Sequence, residues 1–188
     1  MKYVDLQDEI KTNIFTFVDV IKRFSEEDEG SLKVQLGRFV KKGLIIRIKR
    51  GLYCFDPKKI DELELASWLY QPSYISLETA LNYYGLIPDI PQTVTSVCLT
   101  TTKRVHNQFG SFSYAKIKPS LFSGFVKVKS ADSDSFFNLA EKEKALLDYF
   151  YLRKIKSIAD LRLNLKDIDN KRYRQYARSY PEWVRKII

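Results

Sequence analysis

The stretch from Ser31 to Phe55 constrains this chain most, because it holds seven lysines and arginines, no acid, and two different hydrophobic periods in succession. Over Ser31 to Gly43 the apolar residues Leu32, Leu36, Phe39 and Val40 recur at helical spacing. At about 100° per residue they gather on one stripe. Lys33, Val34, Gly37, Arg38 and Lys41 then share the opposite face, with Gln35 and Lys42 at its edge. Gly43 stops the helix, since glycine tolerates the left-handed conformation that follows helix C-termini. Two short apolar runs, 44–49 and 52–55, flank the basic turn Arg50-Gly51 and predict a β-hairpin.

Upstream, residues 3–13 predict a modest first helix, and Thr16 caps a second one carrying Phe17, Val20, Ile21 and Phe24. The acidic turn from Ser25 to Gly30 ends it, and Ser31 is read as the cap of the third. Three helices followed by a hairpin is the order of a winged helix-turn-helix, a fold that offers its last helix and its hairpin to DNA. On that reading Arg38 and Lys33 suit guanine, Gln35 adenine, and Val34 a thymine methyl. Lys41 and Lys42 add phosphate contacts, the hairpin cations Arg47, Lys49 and Arg50 follow the neighbouring backbone or minor groove, and Ser31 is a secondary phosphate contact. A merely solvated helix face is the competing reading. Solvated faces normally mix signs to support salt bridges, and this one does not. Gly37 is a poor helix former in mid-helix, and fits close approach to DNA or close packing inside the domain equally well.

The expected fold class is α+β: a winged-helix domain over 1–57, then an α+β domain over 58–188. In the second, helices at 60–70 and 76–84 lead into strands around 93–101, 111–118, 124–129 and 135–138, read as an antiparallel sheet. Asn138 to Glu141 has capping-box spacing for a helix to Arg153, with shorter helices near 158–163, 170–179 and 181–187. The net charge of +9 is uneven, with +2 on residues 1–56, +1 on 57–139 and +6 on 140–188. Between Arg153 and Lys186 eleven basic and four acidic residues are interleaved with Tyr173, Tyr176, Tyr180 and Trp183. Tyr173, Ala177, Tyr180 and Val184 recur at helical spacing and are expected in the core. The cations beside them can extend a DNA footprint, bind RNA or meet an acidic partner, and the sequence leaves that open.

Several chemistries are disfavoured. Cys54, Cys98 and the single His106 lack metal-ligand spacing, so no metal or cofactor is expected. A structural disulfide between the two cysteines is the competing reading to free, buried thiols, which a reduced compartment favours. No run of eighteen apolar residues and no leader-like start occurs, which predicts a cytoplasmic protein with no membrane partner. Gly110-Ser111 with Asp132-Ser133-Asp134 has the wrong spacing for a two-metal nucleotidyltransferase site. Glu141-Lys142-Glu143-Lys144 reads as a capped, solvated helix start, and His106 as a surface or loop residue with no serine or cysteine to activate. No catalytic residue is expected. The alternatives are a nucleic-acid-processing enzyme, a nuclease or nucleotidyltransferase, or a protein-interaction module built on a winged helix.

The run from Ser31 through Arg38-Phe39-Val40-Lys41-Lys42-Gly43-Leu44-Ile45, then Arg47 and Lys49-Arg50-Gly51-Leu52-Tyr53, resembles the N-terminal winged helix of AbiEi-type antitoxins. These are transcriptional regulators of prokaryotic type IV toxin–antitoxin operons. Pro72, Tyr74 to Leu81 and Tyr84-Gly85-Leu86 are similar to the segment that follows in that family, Thr93-Val94-Thr95 to its next strand, and Glu143 to Asp148 to a later helix start. The locally acidic turn at Glu26 to Glu29 and the short C-terminal half depart from the pattern. The resemblance implies an autorepressor that binds double-stranded operator repeats in its own promoter. It also implies a nucleotidyltransferase-type toxin as functional partner, offset without a stable complex.

Overall fold

The computed structural model describes residues 1–130, 135–159 and 161–188. These divide into two units, Met1–Leu69 with Lys129–Ser135 and Tyr70–Val128 with Phe136–Ile188. The first unit runs α1 (Tyr3–Glu9), β1 (Ile14–Thr16), α2 (Phe17–Arg23), α3 (Glu29–Lys41), β2 (Ile46–Lys49), β3 (Leu52–Cys54) and α4 (Glu62–Leu69). β3 lies between β1 and β2 and is antiparallel to both.

The expected 3–13 helix is shorter than its apolar pattern suggested. The chain turns extended at Ile10 and enters β1, whose partner β3 is some forty residues away. Thr16 caps α2 as expected: its hydroxyl accepts the Asp19 N–H at 3.1 Å, while the Asp19 carboxylate accepts the Thr16 N–H at 2.8 Å. The cap of α3 is a correction. Asp28, not Ser31, accepts an amide there, the Ser31 N–H at 2.8 Å, so Ser31 falls in the first turn. A carboxylate is the better cap because the helix dipole also favours its charge. Leu32 and Leu36 are buried against Leu6, Ile10, Phe15, Val20 and Ile45, with Phe39 and Val40 partly covered. Gly43 closes the helix at φ +69, with Leu44 N–H on the Phe39 carbonyl and Gly43 N–H on that of Val40.

The second unit begins with β4 (Ser73–Ile75) and α5 (Leu77–Tyr83) and continues through β5 (Val94–Cys98), β6 (Lys103–Asn107), β7 (Gly110–Lys116), β8 (Phe125–Lys129) and β9 (Phe136–Ala140). It ends with α6 (Lys142–Arg153), α7 (Asn170–Ala177) and α8 (Glu182–Arg185). Its sheet has the order β6-β7-β5-β4-β9-β8. Pairing is antiparallel at β6–β7 and β4–β5, as expected, but parallel at β5–β7 and β4–β9. The cause at β4–β9 is that each strand runs straight into a helix, α5 or α6, and those helices pack on one another. Two strand-then-helix units laid side by side must run the same way.

β5 is buried along its whole length, whereas the edge strand β6 exposes Lys103, Arg104 and His106. Charged side chains on an edge discourage pairing with other chains. The expected helix near 158–163 is not formed among the described residues, where turns take its place. So short a segment cannot offset helix nucleation without a packed face. Cys54 and Cys98 are free and buried as expected, and burial pushes the Cys54 thiol up to about 11. No helix among the described residues is long and apolar enough to cross a membrane.

Candidate nucleic-acid interface

Between α3 and the β2–β3 hairpin the first unit has a groove of about 680 Å³, whose lining includes Lys33, Gly37, Lys41, Arg47 and Arg50. The two amphipathic elements create it. α3 buries Leu32 and Leu36 and turns Lys33, Gly37 and Lys41 outward, while the tight turn at Gly51 (φ +77) brings Arg50 opposite. The Lys33 ammonium stands 5.2 Å from the centre of the Phe17 ring, which holds it at the groove wall. Val34, 55% exposed, and Arg38 continue the same face of α3 beside the groove, and Lys42 is exposed at its end. Lys33, Arg38, Lys41, Arg47 and Arg50 make no ion pair with any described carboxylate. A Cβ built on Gly37 meets nothing within 4 Å, so internal packing does not explain this glycine.

Three of the predicted contact residues are drawn elsewhere. Gln35 is half-buried and donates to Glu27 at 3.2 Å and to the Ser31 hydroxyl at 3.1 Å. The Ser31 amide is already held by Asp28. Lys49 donates to the carbonyls of Trp68 (2.9 Å) and Leu69 (2.7 Å) at the end of α4, where a cation also meets the negative end of the helix dipole. Strict alternation would put Arg47 and Lys49 on one face of β2. The register against β3 shifts between them, from Arg47↔Tyr53 to Lys49↔Leu52, and that extra residue sends the two side chains to opposite sides. The acidic turn does not neutralise the groove either. Glu27 pairs with the Met1 ammonium at 2.5 Å, and that hydrogen bond holds its carboxyl below the usual range.

Residues 1–55 match the family described as transcriptional regulator, AbiEi antitoxin. The matched span takes in α1 to β3 and every groove residue named above, and it ends before α4 and the second unit. The similarity to that family read from Pro72 to Asp148 therefore lies outside it. No curated protein matches the chain.

Beyond the AbiEi-matched span, the helix start at 141–144 is the largest departure from the sequence reading. Lys144 and Asp148 are 1% and 0% exposed rather than solvated. Asp148 accepts from Tyr74 and Ser76 (both 2.9 Å) on one oxygen, and from Lys144 (2.5 Å) and Tyr180 (2.6 Å) on the other. Lys144 also donates to the Tyr74 hydroxyl at 2.8 Å. Burial draws the Lys144 ammonium below its ordinary range, opposed by Asp148, and pushes the Tyr74 and Tyr180 phenols far up, reinforced by the same carboxylate. A buried ion pair persists only when its remaining hydrogen-bonding capacity is met, and here four donors converge on one carboxylate. Nor does Asn138 cap α6. Glu141 is the N-cap residue, and its carboxylate accepts from Arg172 (2.9 Å) and from the Tyr176 hydroxyl.

His106 is an exposed surface residue as expected, on strand β6 rather than in a loop, and the β6–β7 register sets its Nδ1 2.9 Å from the Ser111 hydroxyl. Both side chains lie on an exposed edge pair, and no described carboxylate orients the imidazole. Asp132-Ser133-Asp134 lies outside the described residues. Among the described residues no group of three or more His, Cys, Asp or Glu could hold a metal ion.

Proposed function

We propose that the protein is a sequence-specific DNA-binding transcriptional regulator whose first unit is a winged helix-turn-helix. It acts as an autorepressing antitoxin of a type IV toxin–antitoxin operon, in the cytoplasm and without enzymatic activity, metal or cofactor. One observation carries this reading: an α3–hairpin groove with four cations that pair with no described carboxylate and a bare stretch of helix backbone at Gly37, all inside the AbiEi-matched span. An α-helix fits the major groove of B-DNA. With α3 there, Arg38 and Val34 face base edges, and Lys33, Lys41, Lys42, Arg47 and Arg50 meet phosphates on either side. Gln35, Ser31 and Lys49 support the reading head rather than touch DNA. The partner is double-stranded DNA carrying operator repeats of the protein's own promoter, and the toxin offset is of nucleotidyltransferase type, without a stable complex.

The test is titration of the full chain against its upstream promoter and a scrambled duplex at several salt concentrations. Promoter affinity should fall with a log–log slope of about −0.9 per phosphate neutralised. Replacing Lys33, Lys41, Arg47 and Arg50 together by alanine should remove binding to both duplexes, while Arg38→Ala alone should narrow the gap between them. If the fourfold variant binds both duplexes like the parent, this face is not the reading head.

A further inference from the structure

The second unit has a cavity that a duplex-reading role for α3 leaves unexplained. It measures about 840 Å³, and its wall includes Lys116, Lys118, Lys154, Lys156, Tyr151 and Trp183. All four lysines are exposed, and none pairs with a described carboxylate. Trp183 is 41% exposed and stacked on Tyr151, with ring centroids 6.2 Å apart and 27° between planes. An apolar ligand would leave the four ammonium groups unused, and a simple anion would leave the flat indole unused. A nucleobase joined to phosphates uses both.

We propose that this cavity binds single-stranded nucleic acid, with a base stacked on the open face of Trp183 and the adjoining phosphates met by Lys116, Lys118, Lys154 and Lys156. Stacking aromatics in a cationic groove are the general means of holding single strands. A duplex has no free base face inside its stack, so it satisfies the lysines alone. This site stands whether or not α3 reads promoter DNA.

Two features show a prepared site rather than a chance patch. Tyr151 meets Tyr180 edge-on, with centroids 5.7 Å apart at 78°, and Tyr180 donates to the buried Asp148. The indole platform therefore rests, through two rings, on the Lys144–Asp148 network, which fixes it before a ligand arrives. Lys154, just after α6, has φ +56, a left-handed conformation that glycine ordinarily supplies at a helix end. Keeping lysine there retains a cation at the cavity wall against the local backbone preference.

The experiment is fluorescence anisotropy of labelled rU8 and dT8 with the full chain at low salt, beside an eight-base-pair duplex. At least one single strand should bind, and the two arms distinguish RNA from DNA through the 2′-hydroxyl. Trp183→Ala should weaken binding on the order of tenfold, and Trp183→Phe, which keeps a stacking face, much less. Lys154→Gly should weaken binding and flatten the salt dependence by about 0.7 in log–log slope, with the thermal midpoint kept or raised. Lys41→Ala/Arg50→Ala should leave single-strand affinity unchanged. Should Trp183→Ala prove misfolded by circular dichroism, Trp183→Phe and Lys154→Gly still decide the matter. The site is overturned if neither oligonucleotide binds, if Lys154→Gly binds as the parent does, if polyphosphate competes as well as the oligonucleotides do, or if the loss follows the first-unit variant instead.

Discussion

Gly37 in the first unit and Lys154 in the second each stand where the other kind of residue would give the steadier backbone. Gly37 lies in the middle of α3, where alanine would be more stable by roughly 1 kcal/mol, and a Cβ there meets nothing. Lys154 holds φ +56, where a side chain costs roughly 1–2 kcal/mol that glycine would avoid. Neither residue is forced by packing. Both border cationic concavities, and the two differ in kind: α3 presents bare backbone at its groove, whereas the end of α6 presents a long cation at its cavity wall. Local stability is given up in opposite directions at these two cationic concavities.

The strongest way to break this comparison is to remove the support under only one of the sites. Asp148→Ala strands the Lys144 charge and three hydroxyl donors in the interior, and should cost about 3–5 kcal/mol in urea unfolding. A loss below 1 kcal/mol would mean that the network does not hold the Tyr151–Trp183 platform. Next in size are the mirror substitutions. Gly37→Ala should raise stability by about 1 kcal/mol while weakening promoter binding. Lys154→Gly should also raise stability, by about 1 kcal/mol, with promoter binding unchanged. If Gly37→Ala binds the promoter as tightly as the parent, the bare backbone has no part in recognition and the symmetry between the sites is lost. The smallest effect separates two of the hairpin cations, Lys49 and Arg47. Lys49→Ala should cost about 0.5–1 kcal/mol of stability by releasing the end of α4, with the salt slope of promoter binding intact. Arg47→Ala should reduce that slope by about 1, and the reverse pattern would mean that the β-bulge has been misread.

Much of the first unit was legible because its information is local. The stripe of Leu32, Leu36, Phe39 and Val40 with Gly43 after it predicts α3, and Arg50-Gly51 between apolar runs predicts the hairpin. What escaped depends on distant residues. β1 is three residues long and becomes a strand only by pairing with β3, and the shift that turns Lys49 away leaves no mark on the alternation of Ile46 to Lys49. The second unit was less legible for the same reason on a larger scale. Lys144 and Asp148, four apart on a helix, look like an exposed surface pair. Their burial is decided by Tyr74, Ser76 and Tyr180, which the fold brings in from 32 to 74 positions away. The excess of cations after Arg153 was visible in the sequence. Its division into a cavity wall and an open face required the path of the chain between α6 and α8.

The convergence on Asp148 also sets an order of events as the chain is made. Tyr74 and Ser76 emerge from the ribosome first, Lys144 and Asp148 next, and Tyr180 after both. Until that tyrosine is available the interior of the second unit lacks one of its four donors and the prop beneath its indole. A nascent chain can therefore complete the α3 fold during translation, while the other unit stays unfinished until its C-terminal helices have been synthesised.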